Sequence, residues 1–234
     1  MSPLATYVQD LWRCVRSPRP GFRSRVSRSG PLGASLLRMV ALRAPLALAG
    51  WALTLWAYGN LRASLMAGTG SFAELVLGLT GASPQELRIY VEALPAPPTL
   101  ASALPWLLPL APLAVLSLWL HHLIWDHMCL WMLGGLTLRK GWRTTAVAES
   151  EALQVGALGA AAALLGDVPG LGFILGIPLA LLGIYFWILR GFALAAWHEC
   201  APWKGVVATL LHVLLAALTF LGLLGLAWSL APGA

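Results

Sequence analysis

The stretch Leu104–Gly135, LPWLLPLAPLAVLSLWLHHLIWDHMCLWMLGG, sets the fold class. Its apolar part, about 30 residues long, exceeds the ~20 that a helix needs to cross a hydrocarbon core roughly 30 Å thick. The inner half then carries His121, His122, Asp126, His127 and Cys129 before closing on Gly134-Gly135. Ionisable groups are expensive in hydrocarbon, so at that depth they point to function. The glycine pair reads as a helix stop, because glycine accepts the left-handed cap that ends many helices.

The rest of the chain agrees with that reading. Hydrophobic residues make up 59% of the 234 and charged residues 10%, against about a quarter charged in soluble domains. Mean hydropathy is +0.78. The predicted fold class is all-α, a polytopic membrane helical bundle. A net charge of +6 does not indicate nucleic acid, since eight of the fifteen basic residues lie between Arg13 and Arg43, beside a hydrophobic run. That cluster is a topology signal and a contact for anionic lipid headgroups of the bilayer. Cys14, Cys129 and Cys200 form no paired spacing, so no disulfide framework is predicted.

Residues 1–35 are predicted to be a basic cytoplasmic tail. It opens with a short amphipathic helix on the membrane surface, where Tyr7, Leu11 and Val15 recur at helical spacing. Residues 16–31, RSPRPGFRSRVSRSGP, read as flexible. Residues 36–234 are predicted to form a five-span membrane domain, with spans near 36–58, 105–133, 145–166, 171–196 and 205–230. The extracytoplasmic loop 59–104 contains SPQELRIYVEAL, where Ser83, Pro84 and Glu86 suit the cap and first turn of a helix. Phe72–Leu79 is a second short piece lying along the interface. Asp167-Val-Pro-Gly170 reads as a tight turn joining spans three and four. With the N-terminus inside, thirteen Lys and Arg fall on the cytoplasmic side, and only Arg62 and Arg88 fall outside. The positive-inside rule therefore puts the N-terminus in the cytoplasm and the C-terminus outside it. The composition leans towards a bacterial inner membrane.

From Leu120 onward the order of features resembles the Yip family of five-span membrane proteins. The resemblance rests on His127, Leu133-Gly134-Gly135, the basic loop into Gly141-Trp-Arg-Thr-Thr145, the Pro169-Gly170 turn, and a fourth span closing on His198. It covers about 110 residues. It implies a non-enzymatic integral membrane protein that organises membrane or recruits partners; protein partners or a homo-oligomer are expected. The third span departs from the family at Glu149-Ser-Glu151-Ala-Leu-Gln154, and the acidic-aromatic N-terminal motif of the trafficking members is missing. Rab binding is therefore not carried over.

The residues themselves leave other chemistry open. His122, Asp126 and Cys129 stand at i, i+4 and i+7, one helix face with ligand types that a transition metal accepts. His121 and His127 point away from that face. Glu149 and Glu151 open span three, His198 and Glu199 close span four, and His212 lies two turns into span five. A chain of such groups facing a wet cavity would suit a proton or ion path in a small transporter. The same groups are also candidates for a metal site. No H-E-x-x-H, G-x-S-x-G or phosphate-binding loop occurs, and Ser117 and Ser229 lack the Gly-x-Ser context of an intramembrane serine protease. No catalytic residue and no cofactor is assigned.

Overall fold

In the computed structural model the described residues are 2–136, 140–168 and 171–229, with the side chains of 3, 4, 71, 225–227 and 229 left aside. Among them the chain forms helices and no strand. These are α1 (Pro3–Arg16), α2 (Pro18–Val26), α3 (Leu32–Ala67), α4 (Ser71–Thr80), α5 (Pro84–Ala93), α6 (Leu100–Met132), α7 (Trp142–Ala163), α8 (Leu171–His198) and α9 (Pro202–Ser229). Four of them, α3, α6, α8 and α9, are long and apolar enough to cross a membrane. The Pro169-Gly170 turn, Arg139 and Leu230 lie outside the described residues.

The expected third span, α7, is made differently from the others. It has 22 residues, and Thr145, Ala146 and every residue from Ala148 to Val155 are buried. It packs against α1, α3, α6 and α8. A helix enclosed by other helices has no need of a lipid-compatible surface, so it can carry Glu149, Glu151 and Gln154 inward.

The N-terminal region departs most from the sequence reading. Residues 16–31 are not a flexible tail, because α2 runs through them, starting on Pro18 at a position where proline costs no hydrogen bond. The apolar face of α1 is likewise covered by protein: Leu11 and Cys14 join Phe22 of α2 in one core with Ala148, Val155, Leu189 and Trp197. Phe22 meets Trp197 edge-on, with centroids 6.4 Å apart. Cys14 and Gly21 touch where α1 and α2 cross, and a side chain at Gly21 would run into the Cys14 backbone.

Other boundaries moved for local reasons. The first span continues past residue 58 to Ala67, with Gly59 and Asn60 held inside the helix, and ends only at Gly68, which caps α3 in the left-handed conformation at φ 62°. The three prolines of α6 sit inside one continuous helix of 33 residues, about 50 Å long. The capping box at Ser83 and Glu86 is present. Gly134 adopts φ 61°, and Gly135 N donates to Leu130 O at 2.8 Å, closing α6 as the sequence anticipates.

Candidate functional site

Arg190 of α8 lies at the centre of the bundle. Its guanidinium hydrogen-bonds Asp126 of α6, and its Nε lies 3.3 Å from Glu149 Oε2 of α7. Its Nη1 lies 3.4 Å from His122 Nε2, and the plane sits over the Trp187 ring, 4.2 Å from its centroid. The other oxygen of Asp126 accepts from His212 Nδ1 of α9 at 2.6 Å. His212 Nε2 then faces His121 Nε2 at 3.0 Å. Asp126, Glu149, Arg190, His122 and His212 are all buried, whereas His121 is exposed.

Charge balance sets what this centre can do. One guanidinium faces two carboxylates, and an unpaired charge is costly in a low-dielectric interior. Neutrality therefore needs one further proton, on Glu149 or on His212. The Glu149 contact is off the hydrogen-bonding line: both its oxygens, Arg190 Nε and His122 Nδ1 are buried without a hydrogen-bond partner. Such half-satisfied groups have spare capacity to hold or pass a proton.

Small residues make the geometry possible. Gly191, next to Arg190, packs on the backbone of Gly205 and Val206, so α8 and α9 approach too closely for any Cβ there. That contact brings His212 over Asp126. On α6, His122 and Asp126 are one turn apart on the inward face. Counting from the helix ends, Asp126, Glu149, Arg190 and His212 lie roughly 9 to 15 Å along their helices. A cavity of about 340 Å³ between α3, α6, α7 and α8 reaches the same centre, with His122 and Arg190 in its wall.

The remaining candidates separate into other groups. Cys129 does not join His122 and Asp126, because it lies on their face but about 10 Å further along α6 than His122, where it packs with Leu130 and Ala208. His127 and His198 are bridged by Thr145 Oγ1, at 2.7 and 2.9 Å, and Trp142 stacks on His127 at 3.9 Å. Glu151 takes a hydrogen bond from buried Arg25 of α2, and accepts from Ser35 at 2.6 Å and Arg38 at 3.3 Å. Gln154, which also accepts from Tyr7 at 2.5 Å, completes that lock. Burial alone would lower the Arg25 pKa, but the Glu151 carboxylate outweighs it and raises it. Glu199 is exposed and pairs with Lys140 at 2.6 Å, whose hydrogen bond and charge hold its carboxyl below the usual carboxylate range.

For a metal ion, the nearest arrangement is His121, His122 and His212, whose ligand atoms lie within 4.8 Å of one another. The expectation that His121 points away from His122 is thus corrected, since α9 brings His212 between them. Asp126 would orient His212 as carboxylates commonly orient metal-bound imidazoles. The Arg190 guanidinium, 3.4 Å from one of these imidazoles, opposes a dication. Comparison with protein-family models, with curated proteins and with solved structures found no match to this chain.

Sequence reasoning missed Arg190 as a site residue and counted it only towards topology. The signal was present, a single cation in 28 residues of otherwise apolar helix. Arg25 and Tyr7 carried no such signal, because their partners are more than 120 residues away.

Proposed function

We propose that the chain is a five-span integral membrane protein of a bacterial inner membrane, N-terminus in the cytoplasm, whose centre moves protons as part of small-solute or ion transport. The observation that carries this reading is the centre itself. One guanidinium, two carboxylates and an imidazole from four helices share a proton among groups with unfilled hydrogen-bonding capacity. Groups of this kind inside membrane helices mark proton relays and substrate pathways. The protein's own work is to hold that proton away from water and pass it between Glu149, Asp126 and His212, with His121 at the edge of the bundle as the outlet.

The test is proton flux in liposomes carrying a pH-sensitive dye and an imposed potential. Wild-type protein is expected to conduct, Asp126→Asn and Glu149→Gln to lose at least tenfold of the rate, and Glu199→Gln to behave as wild type. Flux that survives both substitutions, or none from wild type, overturns the reading.

A second reading is favoured by one specific feature. Arg13, Arg16, Arg19, Arg23 and Arg28 of the docked N-terminal region are exposed, a basic surface suited to anionic headgroups or acidic partners. This supports the non-enzymatic, Yip-like scaffold that the sequence suggests. Deleting residues 1–35 would not test it cleanly, because Leu11, Cys14 and Phe22 are core. Charge-neutralised variants of these five arginines separate recruitment from folding.

A further inference from the structure

The cavity beside the proton-sharing centre has a composition of its own. At one end are Arg43 of α3, Arg190 and His122, and no carboxylate lines it. The apolar part is walled by Leu153, Leu179, Leu182 and Phe186, with the Phe186 ring seated on Gly159 and open space at Gly183. Its volume, about 340 Å³, falls in the usual range for small-ligand pockets, roughly 300 to 1,000 Å³.

Arg43 is the telling residue. It lies eleven residues into α3, about 16 Å along the helix, with its Nη1 over Gly156, where a Cβ would come within 3.4 Å. Among the described residues no carboxylate pairs with it, and Arg190 lies in the wall of the same cavity. Arg190 already has Asp126 and Glu149, whereas Arg43 has no counter-charge. A guanidinium stays protonated in proteins, so within a membrane it needs an anion. His122 Nδ1, buried and without a partner, is a further nitrogen free for the same ligand.

We infer that this cavity binds an anionic amphiphile, its carboxylate or phosphate head on Arg43 and Arg190 and its acyl chain along the channel between α7 and α8. An inorganic anion would satisfy the arginines but leave the apolar walls uncovered. A neutral lipid would do the reverse. Guanidinium favours planar, two-point contact with carboxylate and phosphate alike, so the head chemistry is shared between a fatty acid and an acidic phospholipid. The inference shares Arg190 and His122 with the transport reading and would name its ligand class.

Native mass spectrometry of the full-length protein in detergent tests it, with oleate, phosphatidylglycerol, phosphatidylcholine and inorganic phosphate as separate probes. A one-to-one adduct is expected with oleate or with phosphatidylglycerol, and the stronger of the two identifies the source. Arg43→Gln should cut that occupancy at least tenfold. Gly183→Leu should cut it at least fivefold while melting like wild type, since a Cβ at Gly183 meets nothing within 4 Å. Equal binding of phosphatidylcholine, competition by inorganic phosphate alone, or indifference to both substitutions overturns the inference. Proton flux is read on the same purified protein after reconstitution into liposomes. Adducts without flux remove the transport reading and leave the pocket, and flux without adducts does the opposite.

Discussion

Arg190 decides more than any other single side chain. Its charge is met by Asp126 and Glu149, and the three together cost much less than any of them alone. Removing only the arginine leaves two carboxylates facing each other in a buried site. Arg190→Met should therefore destabilise the protein by roughly 3 to 5 kcal/mol, read as a clear drop in melting temperature in detergent. Adding Asp126→Asn and Glu149→Gln to it should recover most of the melting temperature while leaving proton flux absent. A single Arg190→Met variant that melts like wild type would mean that the charges are not held together. At this scale the sequence is only partly legible. His122, Asp126 and His212 stand out as polar groups in apolar runs, yet their grouping depends on which helices touch. Cys129 illustrates this: it lies one turn beyond Asp126, yet it faces a separate apolar cluster.

The α1–α2 pair shows why elements are harder to read than spans. Eight of the sixteen residues from Arg16 to Pro31 are Arg or Pro, and such composition ordinarily stays solvated. What reverses it is a partner supplied from far away, the Glu151 carboxylate for Arg25, together with one well-buried ring, Phe22. Neither is visible from local composition. The spans were readable because length and apolarity are local properties, and the capping box at Ser83 for the same reason. Cys14 reports on whether the pair stays docked. Burial pushes its thiol from 9.0 up to about 11, and each unit upward removes about tenfold of the reactive thiolate. Its alkylation should lag behind that of half-buried Cys200, whose thiol burial also raises but which reagent can reach, whereas Cys14 is fully enclosed. Glu151→Ala should speed Cys14 labelling at pH 8 at least tenfold by releasing α2, with Cys200 unchanged. Equal rates in the two proteins would show that the ion pair does not hold the helix down.

At the scale of the whole molecule the open point is whether α7 crosses the membrane with its neighbours. Composition argues weakly for it, since the four helices of clearest apolar character exclude it. Geometry argues more strongly. Ser35 of α3 hydrogen-bonds Ser150 of α7 at 2.7 Å, and further along Gly50 packs beside Leu164, with 3.5 Å between a Cβ there and its side chain. Fifteen residues of α3 thus run alongside fourteen of α7, about 21 to 22 Å of parallel helix. If α3 spans the bilayer, α7 rises through most of it too, and its 22 residues give about 33 Å of length against a hydrocarbon core of about 30 Å. Its acidic groups are admissible because α1, α2, α3, α6 and α8 supply Tyr7, Arg25, Ser35, Asp126 and Arg190 around them. The five-crossing proposal puts the two termini on opposite sides. A reporter active only outside the cytoplasm should therefore work when fused after residue 80 or at the C-terminus, and stay silent when fused after residue 140 or 200. A silent C-terminal fusion with an active one after residue 80 would give four crossings, leave α7 as an inward-dipping helix, and open the Arg190 centre to the cytoplasm instead of sealing it.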